Sequence, residues 1–166
     1  MEIIYRAAGI DDLDGIFELV KNAIEQMEHD NIHQWDSLYP AKDDFSNDIK
    51  KKELYVGTVN DEIAVIYALN KECDEQYRSG KWQYIGDDFR VIHRLCVSPK
   101  YQKKGIAHAV LQHIESKLRL LGVKAVWLDV FSENPYALRL YYNSGYQKVG
   151  VAHWRKGEFH LMEKLL

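Results

Sequence analysis

Cysteine is scarce in this chain. Cys73 and Cys96 are the only two, and they form no CxxC pair. Seven scattered histidines add no zinc-ligand spacing. A disulfide scaffold and a structural zinc module are thereby excluded, and no metal site is expected. So little cysteine points to a reducing compartment. A basic surplus is also missing. The net charge is −3 at pH 7, which argues against the nucleic-acid-binding class. No apolar run approaches the roughly 18 residues that a membrane span needs. Residues 1–6 lack the charged start and apolar stretch of a secretion signal. The expected setting is cytoplasmic, with neither membrane nor nucleic acid as partner. Two phosphate-binding signatures are absent as well, Gly-x-Gly-x-x-Gly and the P-loop ending Gly-Lys-Ser/Thr. No repeat, low-complexity tract or linker interrupts the sequence.

What remains is a chain of 166 residues, 46% hydrophobic. That is enough for one domain, 1–166, with its own core. Ile3 to Arg6 reads as a first strand. Leu13, Ile16, Phe17, Val20, Ile24 and Met27 then recur at helical spacing, with Asp11 or Asp12 as cap. Residues 31–40 break the pattern and are rich in aromatics. A short helix follows over about 42–51. Strands at 54–59 and 62–69 flank the tight-turn pair Asn60-Asp61. Residues 71–86 are polar and read as a loop or lid. A strand over 89–97 leads into a helix marked by Ile106, Val110, Ile114, Leu118 and Leu121, ended by Gly122. A strand over 124–131 comes next. A helix opens at Asn134-Pro135 and closes near Gly145, and strands over 146–153 and 158–165 finish the chain. The order is β-α-α-β-β-β-α-β-α-β-β. It implies an α/β (α+β) fold with a mixed, largely antiparallel twisted sheet around a central parallel βαβ unit.

The stretch Arg94 to His108 is the natural anion site. An apolar strand stops at Ser98-Pro99, passes two lysines and Gly105, and restarts as a helix. Free N–H groups and a partial positive charge gather there. Gly105 and Ala107 leave room for a coenzyme diphosphate, although Gly105 can equally serve helix packing. Downstream, Asn134, Ala137 and Tyr141 share one helical face. Asn134 suits either a coenzyme contact or a helix cap. Tyr141 suits either a proton donor to a leaving group or a core tyrosine.

Together these segments resemble the GCN5-related N-acetyltransferases (GNAT). Gln102-Lys103-Lys104-Gly105-Ile106-Ala107 matches the central Gln/Arg-x-x-Gly-x-Gly/Ala motif, and Leu95-Cys96-Val97-Ser98-Pro99 matches the strand end before it. Asn134-x-x-Ala137-x-x-Leu140-Tyr141-x-x-x-Gly145-Tyr146 matches the second signature. The resemblance covers the whole chain and is most specific from about 91 to 146. It implies acetyl-CoA as acyl donor. Leu95, Cys96 and Val97 would bind pantetheine and thioester, and the amides of Lys103, Lys104, Gly105, Ile106, Ala107 and His108 the diphosphate. Asn134 would contact the coenzyme, and Tyr141 would be the general acid. A homodimer through the terminal strands is consistent with the resemblance.

Acetyl transfer to a primary amine by direct attack needs a proton acceptor, a donor for the carbonyl oxygen and a proton or hydrogen bond for the departing thiolate. Asp129 and His93 are the candidate bases. Some relatives carry a carboxylate where Asp129 stands, and His93 has a suitable ordinary pKa of about 6.5. Each also has a purely structural alternative, a loop contact for Asp129 and a satisfied strand position for His93. Cys96 lies within an apolar strand and reads as packing rather than as a nucleophile. The acceptor pocket is expected from Gln34, Trp35, Tyr39 and Trp82, large side chains in loops that can equally be packing anchors. The expected acceptor is a small-molecule amine. A protein N-terminal or lysine acceptor and a non-catalytic acyl-CoA-binding domain are the alternatives.

Overall fold

The computed structural model describes all 166 residues. Seven strands and four helices follow the expected order: β1 (Ile4–Ala7), α1 (Leu13–His29), α2 (Lys42–Lys50), β2 (Leu54–Val59), β3 (Glu62–Asn70), β4 (Phe89–Val97), α3 (Ile106–Leu120), β5 (Ala125–Phe131), α4 (Pro135–Asn143), β6 (Gln147–Trp154) and β7 (Gly157–Leu165). The strands form one sheet in the order β1-β2-β3-β4-β5-β7-β6. The β4–β5 pair is parallel, and β1–β2, β2–β3, β5–β7 and β6–β7 are antiparallel. No helix is long and apolar enough to cross a membrane. No three His, Cys, Asp or Glu side chains gather as a metal cluster would need.

Contacts gather into two compact units, 1–69 with 94–107 and 70–93 with 108–166. In the first unit, α1 buries Ile16, Leu19, Val20 and Ala23 against Phe45, Leu54, Val56 and Ile66. Those spacings of three and four are why the segment is helical. Just before it, a 3-10 turn over Ile10–Asp12 is held by Asp12, whose carboxylate accepts the Gly9 N–H at 2.8 Å and pairs with Arg6 at 2.7 Å. Asn60 and Asp61 both take positive φ, 49° and 63°, the hairpin conformation that Asn and Asp tolerate. The expected tight turn forms there.

In the second unit, β7 pairs with β5 from Ala125–Leu165 to Phe131–Phe159, and β6 closes its other side. Tyr77, Val91, Ala125, Trp127, Ala152 and Leu161 form the core beneath. Glu115 accepts from Tyr146 Oη at 3.0 Å and from Lys164 Nζ at 2.6 Å, and Lys164 also donates to the Ser144 carbonyl at 2.7 Å. This buried cluster fixes the end of α4 against α3 and β7, and so fixes Tyr141. The polar segment 71–86 is not a free loop. Residues 75–79 form a 3-10 turn. Glu163 accepts the backbone N–H groups of Gln83 and Tyr84 at 2.8 and 3.1 Å and the Trp127 indole N–H at 2.8 Å. A buried carboxylate with three donors ties the segment to β5 and β7.

Candidate active site

In the first unit the motif residues build a concave loop. β4 ends where Ser98 donates to the Ala64 carbonyl at 2.8 Å, and Pro99–Tyr101 make a 3-10 turn. Lys103 and Gly105 take left-handed φ, 61° and 78°, directly before α3. Left-handed residues in such a turn let neighbouring N–H groups point to a common side, the geometry of an anion nest. A Cβ added at Gly105 would meet nothing within 4 Å, so packing does not require this glycine and its conformation does. Gln102 folds back to donate to the Val97 carbonyl at 3.2 Å, so its side chain braces the loop. Lys104 Nζ lies 5.5 Å from the Tyr101 ring centre. Cys96 is buried in the core, and burial pushes its thiol up to about 12, which rules out a thiolate nucleophile near neutral pH. Leu95 and Val97 are half-buried.

The second unit holds three of the predicted chemical residues, His93, Asp129 and Tyr141. The parallel ladder runs from Phe89–Ala125 to Val91–Trp127 and stops there, while β5 continues along β7 to Phe131. His93 and Asp129 each lie two residues beyond the last rung, on the side-chain parity of Val91 and Trp127. His93 Nε2 lies 2.8 Å from Asn70 Oδ1 and 3.1 Å from the Glu72 carbonyl. Asp129 Oδ2 accepts the Tyr77 hydroxyl at 2.7 Å. Tyr141 is buried at 8% exposure and meets Tyr146 edge-on at 5.7 Å. Burial and then the Asp129 charge push its phenol well above the ordinary range. A phenol is protonated at neutral pH in any case, and burial first, with the Asp129 charge second, only strengthens that at Tyr141. Asn134 accepts the Ala137 N–H at 3.1 Å and caps α4.

A recess of about 330 Å³ opens beside α4, lined by His108, Tyr136, Arg139, Leu140, Asn143 and Ser144. His108 links it covalently to the glycine loop. Sequence spacing did not single out Arg139, Tyr136 or Asn143, although they share a helical face with Leu140. Asn70 and Tyr77 were missed too, because they reach His93 and Asp129 only through the fold.

Of the expected acceptor-side residues, Trp35 is buried in the core of the first unit. Trp82 stacks on Trp127 at 4.1 Å, in line with Phe89 and Tyr77, and donates its indole N–H to the Tyr77 carbonyl at 2.8 Å. Tyr39 is 40% exposed, and its hydroxyl accepts from Arg94 at 2.9 Å. Arg94, with a φ of 53°, is itself clamped by both oxygens of Asp48 at 2.6–2.9 Å. Gln34 is half-buried.

Comparison with known proteins bears on the family and the fold. Residues 22–146 match the acetyltransferase (GNAT) family. Over 64 residues the chain is 31% identical to the ribosomal protein bS18-alanine N-acetyltransferase of Escherichia coli K12. That match covers 39% of this chain and spans under half, 43%, of the relative's length. It is 25% identical over 157 residues to the N-acetyltransferase YesJ of Bacillus subtilis, covering 93% of this chain and 85% of that one. It is also 30% identical over 84 residues, 49% of each chain, to a spermine/spermidine N(1)-acetyltransferase of Bacillus subtilis. A GNAT-family acetyltransferase structure from Streptococcus agalactiae superposes with a TM-score of 0.89 at 22% identity, covering 99% of this chain and 95% of that one. With a family match over residues 22–146 and a shared fold, the chain belongs to the acetyltransferase (GNAT) family.

Proposed function

We propose that residues 1–166 act as one catalytic domain that transfers the acetyl group of acetyl-CoA to the primary amine of a small molecule by direct attack. One observation carries the reading. The neutral, buried Tyr141 stands within the field of Asp129, on the β5–α4 segment next to a β4–β5 ladder that stops at Val91–Trp127. An opened parallel ladder presents backbone donors and acceptors that no neighbouring strand uses, and a protonated phenol beside it suits a departing thiolate.

The roles follow from the chemistry. The amides of Lys103 to His108 hold the diphosphate at the two left-handed turns. The recess with His108, Tyr136 and Arg139 offers cationic and aromatic groups to the nucleotide end. Asn134 and Ala137 open the helix face that carries Tyr141. The backbone of Leu95, Cys96 and Val97 contacts the pantetheine and thioester, and an N–H near Cys96 or Val97 donates to the carbonyl oxygen as it gains charge. His93 accepts the amine proton. An imidazole is the side-chain type most often used as general base. Asp129, engaged by Tyr77, attracts the cationic acceptor. On the acceptor side Tyr39 and Gln34 are the proposed contacts, whereas Trp35 and Trp82 pack within or against the cores of their own units. The polyamine acetyltransferase among the relatives supports a small amine, and the bS18-alanine acetyltransferase supports a protein N-terminus as the second reading.

Thiol release from acetyl-CoA, followed with spermidine, free amino acids and an alanyl-terminal peptide, tests the proposal. Amine-dependent release with acetylated small product supports it. Release with the peptide alone selects the second reading. Tight coenzyme binding with no amine-dependent release makes the chain a binding domain instead.

A further inference from the structure

We propose that Asn70 is a positioning residue that holds His93 in its Nε2–H tautomer, so that Nδ1 is the atom that takes the proton of the attacking amine. The proposal rests on the assignment of His93 as base made above. Nε2 faces two oxygens, Asn70 Oδ1 at 2.8 Å and the Glu72 carbonyl at 3.1 Å. The orientation of the Asn70 amide is settled by the backbone. The Glu72 N–H also points at Oδ1, at 2.9 Å, and an N–H meets an oxygen rather than an amide NH₂. With acceptors on both lines from Nε2, that nitrogen must carry hydrogen. In the neutral ring the lone pair then resides on Nδ1.

The arrangement is built rather than incidental. Asn70 closes β3 and is 7% exposed, so its side chain is held where it turns the chain. The turn it makes with Glu72 sets the Glu72 carbonyl as the second acceptor for the same imidazole. One buried carboxamide therefore fixes ring orientation and tautomer together. A catalytic histidine needs such a partner, because a ring with its hydrogen on the wrong nitrogen cannot accept a proton where the substrate lies. A carboxamide does this without adding a negative charge that would hold the ring in its protonated, inactive form.

The test uses the whole protein with ¹⁵N-labelled histidine, at about pH 9, where an ordinary imidazole is neutral. Loss of one spin system in His93→Gln identifies the His93 signals. The wild type is expected to show a pyrrole-type Nε2 and a pyridine-type Nδ1. Asn70→Leu removes the acceptor and the turn that presents Glu72. Its His93 signals should move toward averaged tautomers, and kcat with spermidine as probe should fall on the order of 100-fold, the lower range of general-base contributions, with the KM for acetyl-CoA unchanged. Asn70→Asp keeps an acceptor oxygen and should restore both tautomer and turnover at that pH. A pyridine-type Nε2 in the wild type overturns the proposal, as does an Asn70→Leu variant whose tautomer shifts while its turnover does not. Wild-type protein with the expected tautomer but no amine-dependent thiol release overturns the catalytic half, and by that route alone it separates failure of the acetyl-transfer reading from failure of the lock.

Discussion

Replacing Tyr141 by Phe removes one oxygen and leaves the ring in place. The side chain is 8% exposed and packs edge-on to Tyr146 at 5.7 Å, and Phe preserves both burial and contact. Burial and Asp129 hold the phenol well above its ordinary range, whereas a thiolate takes its proton near 8.5. Full proton transfer from Tyr141 in the transition state is therefore uphill. Its contribution is a hydrogen bond to developing negative charge, worth about 1.5–3 kcal/mol. At about 1.36 kcal/mol per tenfold in rate, kcat should fall roughly 10- to 150-fold. Thiol release under saturating acetyl-CoA measures it. Calorimetric coenzyme affinity should be unchanged, and the melting temperature should stay within about 2 °C, the shift that roughly 0.5 kcal/mol produces in a chain of this size. Turnover within about twofold of wild type, with folding intact, would remove Tyr141 from the chemistry.

Three further outcomes follow. Gly105→Ala has space for its methyl but must hold a φ of 78°, so it should cost about 1–2 kcal/mol by chemical denaturation. Gly105→Glu should in addition abolish coenzyme binding by charge and bulk, and tight binding by that variant contradicts the diphosphate assignment. Glu163→Ala leaves three N–H donors without their carboxylate. It should lose about 3–5 kcal/mol and expose the segment 81–84 to proteolysis, and an unchanged melting temperature would refute the tether. Tyr67, Tyr141 and Tyr146 all have phenols pushed above the ordinary value, chiefly by burial. The unfolded chain loses these protons first, from about pH 10, so stability should be level below that and fall as pH rises beyond it. Phenolate absorbance from these residues should appear together with unfolding, and a gradual titration in the folded state would contradict their burial.

The elements that the sequence made legible are those whose signals are local. The spacings in α1 and α3, the Asn60-Asp61 turn and the Asn134-Pro135 helix start each rest on neighbours within a turn or two, and all form as read. Gly105 read as room for a diphosphate or as helix packing, and the left-handed φ of 78° that it takes came only from the structure. Asn70, Tyr77 and Glu163 were silent because their partners lie 23, 52 and about 80 residues away. The loop aromatics were ambiguous on principle. A tryptophan such as Trp35 or Trp82 carries the same composition signal in a pocket wall or in a core, and only packing separates the two. Segment 71–86 shows the same limit. Its polarity resembles that of a free loop, and bonds to distant residues, the Glu163 carboxylate and the Val149 and Val151 carbonyls among them, make it a fixed part of the second unit.

The most direct measurement is a crystal structure with acetyl-CoA bound. The account predicts the diphosphate on the amides of Lys103 to His108, the thioester carbonyl accepting from the Leu95–Val97 backbone, and the sulfur within hydrogen-bond reach of the Tyr141 hydroxyl. A coenzyme seated elsewhere, or a thioester with Tyr141 turned away from its sulfur, would contradict it.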